Sequence, residues 1–285
     1  MIFIFGLFKK NNPPSAEKSS QTVYAQVNGR LNIIPGSAQN IGSREEQQDA
    51  FLFSDMENRE LVARVGIVAV LADGMGGLMM GRESSDLAVR TFLVEYCSKT
   101  TEETINDELL RAAQVANAAV FDMASRANLA WNTGTTLVAA VVDLDELFWI
   151  SIGDSRIYLF REGTLKQLNC DHNYGNELQS QVEQGAISQE EADNHPERHA
   201  LTSYIGMDYL REVDYSEQAL PLKAGDRILL CSDGLHGVLS EEEMLKALSL
   251  PAPEAAELLL NLTLLKNHPY QDNVTIAILA CELAS

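Results

Sequence analysis

The sequence predicts an α+β fold in which two antiparallel β-sheets pack face to face between outer layers of helices, a four-layer αββα sandwich. Strand-like apolar runs outnumber helical stretches, and three of these runs follow one another within residues 136–161. The helical stretches come in adjacent pairs rather than alternating with strands, which excludes simple βαβ repetition. Very short connections require antiparallel neighbours, so many strands and paired helices indicate two sheets covered outside by helices.

The start of the chain differs in composition from the rest. Residues 1–8 are apolar and precede Lys9 and Lys10, but they are far fewer than the roughly 18–20 residues that span a bilayer. A secretory signal would carry its positive charges before the apolar stretch. Residues 11–22 are polar and contain prolines, which is typical of a linker. We therefore expect residues 1–22 to form a flexible N-terminal segment, with a weak membrane or partner anchor as the alternative, and residues 23–285 to form one domain.

The first half of this domain contains strand-like runs near 31–39, 50–53 and 66–72, followed by two helices at about 82–97 and 104–126. In both helices apolar residues recur three or four positions apart, which predicts one buried stripe on each. Next come three strands in close succession, whose neighbours we expect to pair antiparallel because the gaps between them have the size of turns. These strands are expected at about 136–143, 146–152 and 156–161.

The second half begins with a mixed region that extends to about residue 206. Two capping boxes predict helix starts, because a serine hydroxyl and the glutamate three residues later satisfy free backbone amides. They are Ser188–Glu191 and Ser240–Glu243. Pro251 and Pro253 separate the last two helices. The remaining predicted elements are strands near 213–219 and 226–231, helices 241–249 and 254–266, and a closing strand at 273–282.

Composition limits the classes of function. The chain has 285 residues, of which 46% are hydrophobic, enough for a large core within one domain. With 21 Lys and Arg against 41 Asp and Glu, the net charge is -20, which disfavours binding to nucleic acid or anionic membrane. A phosphorylated substrate would also be repelled unless bound cations reverse the local potential. The four cysteines form no CxxC pair and predict reduced, mostly packed thiols in a reducing compartment, the cytoplasm.

Five aspartates lie at the ends of strand-like runs. Asp73 and Asp233 each end an apolar run, and the glycine that follows is expected to let the backbone turn sharply. Asp272 precedes the closing strand, Asp49 opens the run 49–53, and Asp154 stands between two strands. A turn-forming role would explain any one of them equally well. Together they indicate a metal site.

Six motifs in a fixed order closely resemble the metal-dependent protein phosphatases of type 2C, the PPM family, in their bacterial serine/threonine form. The resemblance covers residues 31–282, and the stretch 171–206 resembles the mobile flap beside the active site of bacterial members. By resemblance, residues 23–285 are the phosphatase catalytic domain. The motifs are Arg44-x-x-Gln47-Gln48-Asp49, Ala72-Asp73-Gly74-Met75-Gly76-Gly77, Gly134-Thr135-Thr136, Gly153-Asp154-Ser155-Arg156, Ser232-Asp233-Gly234 and Asp272-Asn273-Val274-Thr275.

The resemblance implies a role for each site residue. Two Mn²⁺ or Mg²⁺ ions would share Asp73, with the backbone carbonyl of Gly74 as a further ligand. Asp233 and Asp272 would complete the first ion's shell, Asp49 would hold the second, and Asp154 would help to hold a weaker third ion. Ligands that are all oxygen argue against zinc or copper. Arg44 would bind the phosphoryl group, and its alternative role is a surface arginine paired with Glu45 or Glu46.

The implied function is hydrolysis of phosphoserine and phosphothreonine in proteins, by in-line attack of a metal-bridging hydroxide without a phosphoenzyme. The substrates would be phosphoproteins opposed by a serine/threonine kinase, and the enzyme is expected to be a cytoplasmic monomer without a transmembrane segment. The alternatives are a pseudophosphatase that binds phosphoproteins without turnover and a docking module. Met75 stands where animal relatives carry a proton-donating histidine, and each of the five histidines is expected to serve a surface or packing role.

Overall fold

The computed structural model describes residues 25–26, 30–75, 80–100 and 103–284, so the predictions for residues 1–22 lie outside the described part of the chain. The strands are β1 (Ala25–Gln26), β2 (Leu31–Asn40), β3 (Asp49–Phe53), β4 (Ile67–Met75), β5 (Gly134–Thr135), β6 (Leu137–Asp143), β7 (Glu146–Ile152), β8 (Arg156–Arg161), β9 (Thr164–Gln167), β10 (Asp214–Tyr215), β11 (Leu220–Pro221), β12 (Arg227–Cys231) and β13 (Val274–Leu283). The helices are α1 (Arg59–Val65), α2 (Gly81–Cys97), α3 (Ile105–Arg126), α4 (Tyr174–Glu183), α5 (Gln189–Asp193), α6 (Asp233–His236), α7 (Glu241–Leu248) and α8 (Ala252–Leu265).

The strands form two antiparallel sheets, which confirms the predicted fold class. One sheet has the order β1-β2-β13-β12-β8-β9, and the other has the order β10-β7-β6-β4-β3, with β11 also pairing to β7 and β5 to β4. β2 and β13 pair antiparallel over ten residues each, and β12 joins the other side of β13. The last strand of the chain therefore lies in the middle of the first sheet.

Three hydrophobic clusters fill the spaces between the four layers. The central cluster lies between the sheets and contains Ile67 and Leu71 of β4 together with Ile228 and Leu230 of β12. A second cluster joins α2 and α3 to the outer face of the β4 sheet, and a third joins α7 and α8 to the outer face of the β13 sheet. Both faces of each sheet are thus covered, which explains why the central strands are continuous apolar runs.

The long helices and their termini agree with the sequence prediction. Both predicted capping boxes are present, at Ser188 with Glu191 and at Ser240 with Glu243. Pro251 is the residue before α8, whereas Pro253 lies inside its first turn, where a proline removes no helical hydrogen bond. No helix in the described part of the chain has the length and apolar character needed to cross a membrane.

The expected pairing of the strands 146–152 and 156–161 is wrong. These strands are β7 and β8, and they lie in different sheets. β7 pairs with β6, while β8 pairs with β12 and β9. The three residues between them, Gly153 to Ser155, carry the chain from one sheet to the other, which the positive φ of Gly153, 100°, makes possible.

Other predictions need smaller corrections. The run 213–219 forms only the short β10. The next residue, Ser216, still donates its amide to the carbonyl of Trp149, but its hydroxyl rather than its backbone carbonyl accepts the amide of Trp149. The short elements α1 and β9 escaped the sequence analysis. Cys97, Cys231 and Cys281 are buried free thiols, as expected, whereas Cys170 is exposed.

Candidate active site

A cleft of about 400 Å³ lies where the ends of central strands from both sheets meet. Its lining includes four of the five predicted aspartates, together with the predicted arginine and glycine. These residues are Asp73, Asp154, Asp233, Asp272, Arg44 and Gly74. The fifth aspartate, Asp49, is buried at the start of β3, where it pairs in register with Asp73 of β4. The structure therefore brings all predicted site residues into one neighbourhood.

β4 delivers Asp73, and the neighbouring segment fixes its backbone. The amide of Asp73 donates to Thr136 Oγ1 at 2.9 Å, and the amide of Thr136 donates to the carbonyl of Asp73 at 2.9 Å. Thr135 Oγ1 also donates to this carbonyl, at 2.8 Å. The motif Gly134-Thr135-Thr136 thus positions the carboxylate from an adjacent strand.

The prediction that Gly74 allows a sharp turn is wrong. β4 continues through Met75, and Gly74 pairs with Thr135. A Cβ atom at position 74 would overlap the carbonyl oxygen of Gly81 and lie 2.6 Å from the carbonyl oxygen of Gln48. Gly74 is required because two other backbone segments approach it closely.

The second Asp-Gly pair has a similar explanation. Asp233 is the first residue of α6, directly after β12. A Cβ atom on Gly234 would overlap the carbonyl oxygen of Asn273. Because β12 and β13 are antiparallel neighbours, the end of β12 meets the start of β13, and the amide of Ser232 donates to the carbonyl of Thr275. This pairing brings Asp233 and Asp272 to the same end of the sheet.

Asp49 is a buried carboxylate with one satisfied and one unsatisfied oxygen. Its Oδ2 accepts hydrogen bonds from Ser232 Oγ at 2.8 Å and Thr275 Oγ1 at 2.7 Å. Its Oδ1 is buried and accepts no hydrogen bond from a described residue. Burial raises the pKa of Asp49 to about 7, and the charge of Asp233 adds to this effect. A free buried carboxylate oxygen is costly unless a cation or a proton neutralises it.

Three carboxylates that line the cleft, those of Asp73, Asp154 and Asp233, also have raised pKa values. Burial is the main cause that raises the pKa of Asp73 well above its usual value, and the charges of Asp49, Asp233, Asp154 and Asp272 add to it. Burial also raises the pKa of Asp154 to about 7 and raises the pKa of Asp233, and the charge of Asp272 adds to the effect on Asp233. Like charges held together in a partly dehydrated cleft favour binding of protons or cations.

The donor set fits a hard divalent cation. Asp49 Oδ1 and Asp233 Oδ1 are both buried without a hydrogen-bond partner in the described part of the chain. Carboxylates and a backbone carbonyl are the ligands that Mg²⁺ and Mn²⁺ prefer. Among the described residues, no three His, Cys, Asp or Glu side chains already close around a single point. The carboxylates line an open cleft instead, and one of them, Asp272, is paired with an arginine.

Arg44 lies across the cleft and is exposed. Its Nη2 is 2.6 Å from Asp272 Oδ2. The alternative pairing of Arg44 with Glu45 or Glu46 is not observed in the described part of the chain. Glu46 Oε1 instead lies 3.9 Å from Arg82 Nη1. The guanidinium is therefore within the cleft, beside a carboxylate that offers two oxygens in one plane.

Sequence analysis gave no role at the cleft to Thr136 or His199, which both line it. Thr136 belongs to one of the six motifs, but nothing in the sequence indicates which residue its uncharged hydroxyl contacts. Its hydrogen bond with Asp73 could therefore not be inferred. His199 comes from the segment 171–206, and no spacing relates it to the aspartates. The other described cleft residues are Gln48, Met75, Ala200 and Leu201.

Comparison with known proteins gives consistent matches. The family model "Protein phosphatase 2C" matches residues 38–259. The serine/threonine phosphatase stp of Listeria welshimeri is 32% identical over 228 residues, covering 79% of this chain and 86% of that protein. The serine/threonine protein phosphatase PstP of Mycobacterium tuberculosis is 34% identical over 226 residues, covering 78% of this chain and 41% of that longer protein.

Solved structures agree with these sequence matches. The crystal structure of Mycobacterium tuberculosis PstP superposes with a TM-score of 0.71 at 30% identity, covering 88% of this chain and 99% of that one. A Streptococcus agalactiae serine/threonine phosphatase gives a TM-score of 0.71 at 26% identity, covering 87% and 99%. A PstP catalytic domain in complex with two manganese ions gives a TM-score of 0.69 at 30% identity, covering 88% and 99%.

Proposed function

The chain belongs to the protein phosphatase 2C family of metal-dependent serine/threonine phosphatases, and we propose that its acidic cleft hydrolyses phosphoserine and phosphothreonine in proteins. One observation carries this proposal: four aspartates and one arginine from distant motifs line the same cleft. The net charge of -20 would otherwise repel a phosphoprotein, so an acidic cleft suits this substrate only when cations occupy it.

Divalent cations in this cleft would be held by Asp73, Asp233, Asp272 and the carbonyl of Gly74, and Asp49 would serve a second cation. Asp154 would help to hold a weaker third one. Bound divalent cations supply Lewis-acid activation of water and offset the negative charge of the phosphoryl oxygens. The buried Asp49 Oδ1 and Asp233 Oδ1, which have no hydrogen-bond partner in the described part of the chain, support this assignment, and the similar PstP structure with two manganese ions supports Mn²⁺ or Mg²⁺ as the metal.

Arg44 binds the phosphoryl group in this proposal. Its guanidinium already pairs with Asp272 at 2.6 Å, and a phosphoryl group presents the same kind of planar pair of oxygen acceptors. Binding of substrate therefore exchanges a carboxylate for phosphate oxygens at the same guanidinium. Arginine suits this role better than lysine because its donors form a rigid fork.

The segment 171–206 is proposed to recognise the protein part of the substrate. It contains α4 and α5, and it places His199, Ala200 and Leu201 on the cleft. Replacing this segment by that of a relative should change the preference among phosphopeptides more than the rate on a small aryl phosphate. We further propose that the enzyme acts as a cytoplasmic monomer, against a serine/threonine kinase.

The test is phosphate release from matched phosphoserine, phosphothreonine and phosphotyrosine peptides. The metal-free protein is assayed with Mn²⁺, with Mg²⁺ and with excess chelator. We expect release from the first two peptides with Mn²⁺ or Mg²⁺, and none with chelator. A folded, metal-loaded protein that binds the phosphoserine peptide tightly but leaves it phosphorylated would be a pseudophosphatase, and the proposal would be withdrawn.

A further inference from the structure

The connection between β7 and β8 carries Asp154 into the cleft, and side chains from other segments hold its backbone. The carbonyl of Ser155 accepts a hydrogen bond from Asn169 Nδ2 at 3.0 Å. The carbonyl of Asp154 lies 3.1 Å from Nε2 of His236. The backbone next to the Asp154 carboxylate is therefore tied to a histidine that comes from a distant part of the sequence.

His236 is the donor in this contact. A carbonyl oxygen has no hydrogen and can only accept, so Nε2 of the ring must carry the hydrogen. The ring is partly buried, and the charges of Arg156 and Asp171 act on it. These two residues pair with each other, since Arg156 Nη2 lies 2.7 Å from Asp171 Oδ2. The carbonyl of Asp154 is thus the partner of the Nε2 hydrogen.

The helix that ends at His236 begins at another residue of the cleft. α6 extends from Asp233 to His236, and the amide of Gly237 donates to the carbonyl of Asp233 at 2.8 Å. α6 follows β12, whose last residue, Cys231, pairs in register with Arg156, the first residue of β8. This pairing sets α6 beside the connection that precedes β8. One helical turn therefore has a cleft carboxylate at its start and holds the backbone of a second one from its end.

The position of the Asp154 carboxylate depends on such a contact. Asp154 lies between β7 and β8, outside both strands, so no strand pairing holds its backbone. A metal site needs its ligand atoms placed to within about 0.5 Å. A donor on the carbonyl of Asp154 restrains the backbone that carries the carboxylate. The hydrogen bond from His236 therefore limits the movement of Asp154 relative to Asp233 in the same cleft.

We propose that His236 is a positioning residue, which holds the Asp154 carboxylate in place relative to Asp233 by donating a hydrogen bond to the Asp154 carbonyl. The inference rests on the proposed function, in which Asp154 helps to hold a weaker third cation. His236 tightens binding of that cation without being one of its ligands. Residues that orient metal ligands typically contribute about 10- to 100-fold in metal affinity. This role goes beyond the surface or packing role that the sequence predicts for each histidine.

The experiment measures Mn²⁺ binding by wild type, His236→Leu and His236→Gln, starting from metal-free protein. Electron paramagnetic resonance detects free Mn²⁺, so it gives the affinities of the tight sites and of the weaker site without an activity assay. Leucine cannot donate a hydrogen bond, whereas the amide nitrogen of glutamine can replace Nε2 of the ring as donor. We expect His236→Leu to weaken the weaker site by about 10-fold and to leave the tight sites within about threefold of wild type. His236→Gln should stay close to wild type at every site.

Asp154→Asn shows whether His236 acts through Asp154. In a protein that already carries Asp154→Asn, adding His236→Leu should change Mn²⁺ binding by less than about twofold, because the carboxylate that His236 positions is gone. A structural role of the ring would lower the affinity in both backgrounds and would overturn the proposal. His268→Leu, which replaces an exposed histidine outside the cleft lining, is the matched control and should match wild type.

Three further results would also overturn the proposal. They are an unchanged weaker site in folded His236→Leu, equal weakening in His236→Leu and His236→Gln, and wild-type Mn²⁺ binding that does not respond to Asp154→Asn. Melting temperatures in chelator establish that each variant is folded, and His236→Asn, whose amide is too short to reach the carbonyl, replaces a leucine variant that does not fold. Phosphate release from the phosphoserine peptide is measured in parallel. Wild type that binds Mn²⁺ as expected but releases no phosphate would instead refute the proposed phosphatase activity, so the two failures are distinguishable.

Discussion

Asp49 shows how a single residue links stability to metal binding. It is 6% exposed, it receives two hydroxyl hydrogen bonds on Oδ2, and its Oδ1 has no partner in the described part of the chain. Burial raises its pKa from 3.8 to about 7, so the folded, metal-free protein holds a proton that the unfolded chain has already lost. The folded state is therefore penalised when that proton leaves.

The first prediction concerns the pH dependence of the metal-free protein. Between about pH 4 and pH 7 the folded state binds more protons than the unfolded state, so the free energy of unfolding should fall as pH rises. Asp49→Asn should reduce this fall by roughly 2–4 kcal/mol. Chemical denaturation in chelator at pH 5 and pH 8 measures it, with the exposed Asp122→Asn as control. Equal pH dependence of the free energy of unfolding in wild type and Asp49→Asn would contradict the assignment of this fall to Asp49.

The second prediction concerns Arg44. Loss of a charged, two-oxygen contact to the phosphoryl group costs about 1.5–3 kcal/mol, so Arg44→Ala should lower kcat/KM on phosphopeptides by about 10- to 100-fold. Arg44→Lys should recover only part of this, because lysine lacks the planar fork. The matched control is Arg82→Ala, an exposed arginine paired with Glu46 outside the cleft lining. If both arginine variants behave alike in steady-state kinetics, Arg44 has no special role.

At the scale of residues, position at a strand end predicted that the aspartates would lie together, and the structure places four of them around one cleft with Asp49 beside Asp73. The end of a buried strand is where a carboxylate can reach both core and solvent. The reason given for Gly74 was wrong, because β4 continues past it, whereas at Gly234 the chain does turn from β12 into α6. Both glycines also let carbonyl groups of other segments approach. Such approaches depend on tertiary packing and leave no local signal. The position of His199 at the cleft could not be predicted for the same reason, because its loop reaches the cleft by pairing with the start of α4.

At the scale of elements, the connection between β7 and β8 has a special role. It transfers the chain between sheets and presents Asp154 to the cleft. His172 supports it, since its amide donates to the carbonyl of Gly153 at 2.9 Å and its Nδ1 accepts the amide of Gly153 at 3.2 Å. Burial lowers the pKa of His172, which keeps the ring neutral and able to accept. This histidine therefore has the packing role expected from the sequence.

The third prediction tests this connection. Gly153 has a φ of 100°, and a Cβ atom there would lie 2.7 Å from Thr136 Cγ2. Gly153→Ala should therefore lower the free energy of unfolding by about 2–4 kcal/mol and reduce activity, since Thr136 also holds Asp73. Gly185→Ala separates the two effects, because Gly185 has a φ of 72° but no atom within 4 Å. It should cost only about 1 kcal/mol in denaturant titrations. Equal costs would show that contact with Thr136 is unimportant.

Elements with strong local signals were predicted well, and those decided by pairing were not. The helices α2, α3, α7 and α8 have periodic apolar stripes or caps that are readable from sequence. The sheet to which a strand belongs depends on its neighbours, so nothing in residues 146–161 revealed that β7 and β8 would separate. Likewise, the run 213–219 has strand-like composition, but its strand has two residues, and at Ser216 a side-chain hydroxyl replaces the backbone carbonyl as acceptor from β7.

At the scale of the whole molecule, the sandwich assembles the site from widely separated parts of the chain. The pairing of β3 with β4 brings Asp49 beside Asp73, and the pairing of β12 with β13 brings Asp233 beside Asp272. Packing of the two sheets then joins these pairs, as the hydrogen bonds from Ser232 and Thr275 to Asp49 show. The fold thus concentrates negative charge in a molecule whose net charge is already -20, which makes bound cations part of its function.

The most direct measurement is a calorimetric titration of Mn²⁺ into metal-free protein, for wild type beside Asp233→Ala, with circular dichroism to establish that both are folded. We predict that wild type binds two Mn²⁺ ions tightly, the number in the similar PstP structure, and that the variant loses at least one of them. Unchanged stoichiometry and affinity in a folded Asp233→Ala protein would contradict the account, because the metals would then be held somewhere other than the cleft.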